Sequence, residues 1–470
     1  MLLAGSRTCT LGGMRTAHAN ARTLAQSLPP GPPGLPLLGH LLQLRRDQLG
    51  FLMCCTREYG DVVPLRFGPN LVILLNHPRD LEDVLARKNR SFIKGRYYQI
   101  LGPLLGNGLF TSEGEFWLRQ RRLAQPAFHR ERVAVYARVM VEFTEYMLAG
   151  WKHGELRDVN ADMMQLTFRV VAKALFDADV SREAHDMGAA LTEALHELDK
   201  EINGLGLLIP PGWPTPGRLR LRAAVKRLDR IVFRILQQRR QAGEDRGDLL
   251  AMLLDAQDED GSRMTARKVR DEAITLVLAG HETTALTLSW LWMLLARHPE
   301  VESRLHLELL GVLGDRPPSV EDLPKLTYTD MVVREALRLY PPTVELGRET
   351  LEVVEIGGYR LPAGTNVMFT PYTVHRDPRW FDDPDSFRPE RWADGLAQRI
   401  PRFAYFPFGG GPRLCIGQQF ALMEAVLLVA DIARQYRLVL EPSTQVRPDP
   451  ALTLRIKHGL PMRVEAWRRN

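Results

Sequence analysis

The run AITLVLAGHETTALTLSWLWMLLA, Ala273 to Ala296, constrains the fold more than any other stretch. Its length alone would allow a membrane span. His281 and Glu282 sit in its middle, beside Thr283 and Thr284. Charge at the centre of a bilayer costs roughly 2.5–3.5 kcal/mol on insertion scales. The segment is therefore read as a long helix through the middle of a water-soluble core. A chain of 470 residues, 45% apolar and 25% charged, can enclose one. That places an acid, two hydroxyls and Gly280 deep inside, where polar groups need partners. Thr283 is predicted to bond back to the carbonyl of Ala279, which bends a helix. With Gly280 adding no side chain, a notch is expected that can hold a small ligand and pass protons.

The rest of the chain reads as mainly α with a smaller β part. LPPGPPGLPLLGH, residues 28–40, is too rich in Pro and Gly for helix or strand and reads as a stiff lead-in. DVVPLRFGPNLVILLNHP predicts two short strands around a Gly68–Pro69 turn. Helices are predicted from near Glu115, over 184–202 and over 218–240. The last carries Leu221, Val225, Leu228, Val232 and Ile235 on one stripe, with its basic residues read as a solvated face. The apolar loop NGLGLLIPPGWPTPG, residues 203–217, is read as a lid or a plain surface loop. Strand-like segments return near 350–370 and 451–465. Residues 1–28 carry Arg7, Arg15 and Arg22 and no acid, a pattern shared by disordered tails and transit peptides. That segment has no long apolar run, so no N-terminal transmembrane anchor is expected.

Net charge is +6, mild for this length, and fits an acidic partner on one face rather than nucleic acid. The four cysteines, Cys9, Cys54, Cys55 and Cys415, form no CxxC or Cys/His cluster, so a reducing compartment is expected and zinc is not.

In VVREALRLYPP, Glu335 and Arg338 share a helix face and can pair. FRPERW downstream supplies Arg391 as a third member. FGGGPRLCIG, Phe408 to Gly417, puts one thiol behind a glycine run and just before a long apolar helix pattern. Free N–H groups at a helix start favour thiolate over thiol. Held that way, Cys415 is a nucleophile or a metal ligand. No histidine stands near as its base. One thiolate cannot cage zinc, but it can be the single protein ligand of haem iron.

FGGGPRLCIG resembles the haem-binding loop of the cytochrome P450 family, Phe-x-x-Gly-x-Arg-x-Cys-x-Gly, through Phe408, Gly411, Arg413, Cys415 and Gly417. AGHETT, ExxR and PERW follow the family's order, and WLRQR at 117–121 is similar to its Trp-x-x-x-Arg helix. The resemblance runs from about residue 34 to the C-terminus. It implies a helix-rich triangular body with a small β region as one domain, 34–470, after an extension at 1–33. It implies haem b on Cys415, with Trp117, Arg121, Arg348 and Arg413 toward its propionates. Phe408 and Gly417 belong to the cofactor loop. Thr283 and Glu282 match the proton-delivery pair. Glu335, Arg338 and Arg391 match a buried structural triad.

The implied reaction inserts one oxygen atom from O2 into a C–H bond or alkene, with electrons from NAD(P)H. No flavin or ferredoxin module fits in this length, so a separate ferredoxin or flavodoxin with its reductase is expected. It would dock on a basic face built from Arg119, Arg122, Arg130, Arg132 and Arg413. Tyr97, Tyr98, Phe110, Ala279, Val344, Leu346 and Leu452 fall where the family lines its pocket. A hydrophobic substrate follows: a fatty acid, terpenoid, steroid or polyketide. Glu345 is an odd acid among them, either an anchor for a polar group or turned away. Peroxygenase or isomerase chemistry on the same fold, and a non-catalytic haem sensor, are the alternatives. A cytoplasmic bacterial monomer is expected, with a mitochondrial location as the second reading.

Overall fold

The computed structural model describes residues 28–467 apart from 177–182, 204–212, 243–247, 256, 258–260 and 262. The N-terminal tail through residue 27, Cys9 and most of the 203–217 loop lie outside the described residues.

The elements that place the site are few. Helix α1 is Gly114–Ala124, α2 Val159–Phe176, α3 Glu183–Asn203, α4 Pro216–Ala242, α5 Ala266–Arg297, α6 Thr327–Leu339 and α7 Gln418–Ala433. Strands β1 (Val62–Phe67), β2 (Asn70–Leu75), β3 (Phe92–Ile93), β4 (Leu346–Thr350) and β5 (Asn366–Phe369) form one sheet in the order β1-β2-β5-β4-β3. Only β2 and β5 run parallel; the Gly68–Pro69 turn joins β1 to β2 as the sequence predicts. Strand β6 (Leu454–Ile456) pairs with a short strand at 448–450.

Helix α5 runs through the core with nearly every side chain from Val269 to Leu295 buried. Thr265 caps its start by accepting the Lys268 N–H at 3.3 Å. It packs along α2, and Gly280 faces Val171 of that helix. A Cβ there would lie 2.8 Å from Val171 Cγ2. Gly280 therefore lets two helices meet rather than opening the expected notch. Near the far end of α5, Trp290 donates to the Leu454 carbonyl at 2.8 Å and stacks on Tyr340 at 4.2 Å, which ties α5 to β6 and to the end of α6.

The stripe of α4 is buried as its spacing predicts, with Leu221, Leu228, Val232 and Ile235 in the core. Its basic residues are not simply solvated. Arg220 pairs with Glu197 at 2.9 Å, Arg218 with Glu201 and Arg227 with Glu193, a row of ion pairs holding α4 against α3. Arg270 of α5 reaches Asp229 of α4 at 2.5 Å.

The first turns of α5 also fix the loop that carries Phe110. Asp271 accepts the Asn107 N–H and Glu272 the Leu109 N–H, both at 3.0 Å. Burial pushes the Glu272 carboxyl up to about 7. In the unfolded chain it titrates near 4.3. Below that value both states are protonated and folding is unaffected. As pH rises to 7 the folded state resists ionisation, and above 7 the penalty is full, roughly 4 kcal/mol. Glu272→Gln keeps an acceptor for Leu109 and removes the charge. Its melting temperature is expected to exceed wild type at pH 8 and to match it much more closely at pH 5. An equal difference at both pH values would rule out the buried titration.

Candidate active site

The cysteine loop is shaped by a close backbone contact. Gly411 has φ +64°, and a Cβ on it would sit 1.7 Å from the Leu85 carbonyl oxygen. No other residue fits there. The Cys415 N–H donates to the Phe408 carbonyl at 3.0 Å, which closes the loop. Helix α7 starts at Gln418, where the apolar helix pattern begins, with Gly417 as its N-cap. The Cys415 side chain is accessible, yet protein surrounds it, so it faces the interior of the fold. Burial pushes its thiol up, while the Gly417 N–H and Arg121 pull it back. The helix start alone does not make the thiolate. A bound metal does, because a coordinating thiol loses its proton outright.

Cations gather above this loop. Arg121 donates to the Leu414 carbonyl at 2.9 Å. Arg413 donates to the Ser112 carbonyl at 2.9 Å, pairs with Glu113 at 2.5 Å and lies 3.8 Å over the Trp117 ring. Burial holds the Arg413 guanidinium down to about 10. Arg348 of β4 is buried and caps the Gly347 carbonyl at 2.7 Å. Sequence reasoning missed a fourth member, Lys94. Its ammonium donates to the Phe110 carbonyl at 2.6 Å and sits over the Phe110 and Tyr98 rings. Burial, then Arg348 and Arg413, pull its pKa far below the ordinary lysine value. Among the described residues Glu113 is the sole acid answering this group. Four cations, Arg348 buried and Lys94, Arg121 and Arg413 half-buried, face one carboxylate, which suits a ligand that brings carboxylates of its own. The residues present fit a haem: Cys415 would be its iron ligand and this cluster would hold its propionates. Arg413 belongs to this interior group and not to the outer basic face expected for a partner. The side chains of Arg130 and Arg132 lie outside the described residues.

On α5, Ala279 and Thr283 both turn accessible surface to the interior, and Thr283 Oγ1 donates to the Ala279 carbonyl at 2.6 Å. Thr284 is buried and donates to the Gly280 carbonyl at 3.0 Å. Glu282 is not free beside Thr283. Its carboxylate accepts from Arg455 of β6 at 2.9 Å and from Thr453 at 3.1 Å, and Arg455 also pairs with Asp199 of α3.

The triad is fully assembled. Arg338 donates to both Glu335 oxygens at 2.9 and 2.8 Å, and Arg391 joins at 2.8 Å; Glu335 and Arg338 are 0% exposed. Trp392 adds an indole N–H at 2.8 Å, a partner the PERW stretch contained but the motif did not reveal. Arg338 also caps the carbonyls of His375, Pro384 and Ser386.

Of the expected pocket residues, Tyr98 packs edge-on to Phe110 at 5.4 Å and accepts the Gly347 N–H. Phe110 and Leu452 border the core beside α5, and Leu346 borders the sheet core. Val344 does not line open space: it is 1% exposed and packed in the main core. Its neighbour Glu345 takes the accessible position instead. The Tyr97 side chain lies outside the described residues.

A sequence profile of the family described as Cytochrome P450 matches residues 29–462. The chain belongs to the cytochrome P450 family. It is 41% identical to cyclooctatin synthase of Streptomyces melanosporofaciens over 94% of this chain and 96% of that protein. It is 40% identical to cyclooctat-9-en-7-ol 5-monooxygenase of the same organism, over 90% of each. Pentalenene oxygenase of Streptomyces avermitilis is 36% identical over 93% of this chain and 96% of its own length. As a cytochrome P450 monooxygenase, the protein uses haem, O2, a hydrophobic substrate and electrons from redox partners. Among the described residues, no helix is long and apolar enough to cross a membrane.

Proposed function

We propose that this cytochrome P450 oxygenates a terpenoid, with Cys415 as the thiolate ligand of haem b. The single observation that carries the reading is the interior pairing of an accessible Cys415 with four cations and one acid. Within the expected substrate classes, the relatives' names favour terpenoid. One names a hydrocarbon, pentalenene, and another an alcohol, cyclooctat-9-en-7-ol.

Thiolate-ligated haem supplies the reduction of O2 and the insertion of one oxygen atom. The chain's residues do the rest. Lys94, Arg121, Arg348 and Arg413, with the Trp117 ring under Arg413, would hold the propionates of the haem. Phe408 and Gly417 set the thiol's position through the backbone. Tyr98, Phe110, Ala279, Leu346 and Leu452 give an apolar wall that excludes water. Thr283, with its proton shared with Ala279, passes protons to the oxygen site. Glu282 is a reserve acid, held by Arg455 until that pair opens. Electrons come from an acidic ferredoxin or flavodoxin at Arg119 and Arg122, which carry the outer face without Arg413. Residues 34–470 act as one domain, a monomer in the bacterial cytoplasm.

The test uses haem-loaded protein with a surrogate ferredoxin and reductase, NADPH and a panel of terpenoids. The reduced carbon monoxide complex is expected to show the red-shifted thiolate band, and NADPH use should yield an oxygenated product. A thiolate band with no oxygenated terpenoid would sink the substrate class. No thiolate band would sink the site.

Thr283 gives a sharper expectation. A positioned proton donor is worth about 10²–10⁴-fold. Thr283→Ala is expected to fold, bind haem and consume NADPH, with hydrogen peroxide rising at the expense of product. Thr284→Ala should change little, because that hydroxyl is buried and bonded to Gly280. Product formed per NADPH measures both. Equal coupling in Thr283→Ala and wild type would remove Thr283 from the proton path.

A further inference from the structure

Glu345 has no part in the chemistry above. It lies in the turn from α6 into β4, between Val344, packed in the core, and Leu346. Its side chain is accessible, yet protein surrounds it, the same signature that Cys415 shows. It therefore opens on interior space and not on bulk water. Burial raises its pKa, and no charge or hydrogen bond from a described residue opposes that. An unanswered acid in such a place is costly. Its surroundings are those of the substrate wall. Two residues on, the Gly347 N–H donates to the Tyr98 phenol at 3.1 Å, and Tyr98 packs on Phe110.

We propose that Glu345 is the polar anchor of the substrate site, and that the substrate is an apolar molecule that already carries a hydroxyl, donated to this carboxylate. The inference rests on the monooxygenase reading and narrows its substrate. A carboxylate accepting from a hydroxyl forms a charge-assisted bond. It also fixes one end of a molecule that apolar walls alone would let tumble, and so selects which carbon faces the oxygen site. The neutral donor is favoured over an ammonium group by the wall itself. Lys94 lies over the ring of Tyr98, and Arg348 acts on its phenol. A cationic substrate would also approach Lys94 and Arg348 across the Tyr98 ring. The enzyme then stands after a step that installs a hydroxyl: an earlier oxygenation, or a cyclisation ended by water.

The experiment titrates haem-loaded wild type, Glu345→Gln and Glu345→Leu with geranylgeraniol, its methyl ether and the matching hydrocarbon, read by the Soret shift. Wild type is expected to bind the alcohol about tenfold or more tighter than the ether, the range of a hydrogen bond to a charged group. Glu345→Leu should lose that preference and bind the hydrocarbon tighter than wild type does. Glu345→Gln should keep part of the preference. Equal affinity of wild type for alcohol and ether would overturn the proposal. So would an unchanged preference in Glu345→Leu, or no shift with any probe. A trimethylammonium analogue that outbinds the alcohol would overturn the hydroxyl assignment. The carbon monoxide band of the same samples separates the two failures. If it is absent, the cofactor reading fails; if it is present without an alcohol preference, Glu345 alone fails.

Discussion

Cys415→His abolishes the red-shifted carbon monoxide band and with it oxygenase activity, while Cys54→Ser leaves both intact. The reason lies in what surrounds each thiol. Cys415 faces the interior above a loop closed by Gly411 and by the Phe408 carbonyl. Arg121 and the Gly417 N–H favour its thiolate, although burial opposes them. Cys54 is accessible and donates to Glu58 at 3.1 Å, which raises its pKa further. A thiol so placed neither ionises readily nor meets the cation cluster. Imidazole at 415 is neutral, and the strong donation of sulfur is lost. The reduced spectrum with carbon monoxide decides the matter. A thiolate-type band in Cys415→His would force the ligand to be sought elsewhere.

Glu335→Ala and Arg338→Ala are expected to yield almost no folded, haem-loaded protein. Glu335 receives N–H groups from Arg338, Arg391, Trp392 and the Arg388 backbone. Removing it strands two buried guanidinium groups. Removing Arg338 takes two donors from the carboxylate and uncaps three carbonyls. Breaking one side of such a pair costs roughly 3–5 kcal/mol. Typical stabilities are about 5–15 kcal/mol. The damage also reaches the cofactor, because the His375 ring that follows one capped carbonyl accepts the Phe406 N–H at the root of the cysteine loop. Soluble yield, haem content and melting temperature measure the effect. Near-normal values in either variant would mean the pair is not needed for folding.

The sequence made the framework legible because its strongest signals are local. The Cys415 loop, the central helix, the ExxR pair and the hairpin around Gly68 each declare themselves within a dozen residues. The hidden parts depend on contacts between distant segments. Lys94 has nothing in its own neighbourhood to mark it; only the fold brings it to Arg348 and Arg413. Arg455 is one more arginine in a strand until it meets Glu282. Gly280 looked like the source of a notch because its missing side chain was legible, while Val171, which fills that space, was not. Val344, expected in the pocket, packs into the core instead, and the residue after it, Glu345, takes the accessible position.

The bridge from Asp199 through Arg455 to Glu282 also bears on the order of synthesis. Lys94 is made before the cysteine loop, and Arg455 after it. At about 5–20 residues per second, a ribosome needs roughly half a minute to a minute and a half for a chain this long. Through most of that time the charges around the central helix lack their last counter-ion. A nascent chain stalled before residue 455 would carry the cysteine motif while Glu282 and Asp199 still lack the guanidinium that joins them.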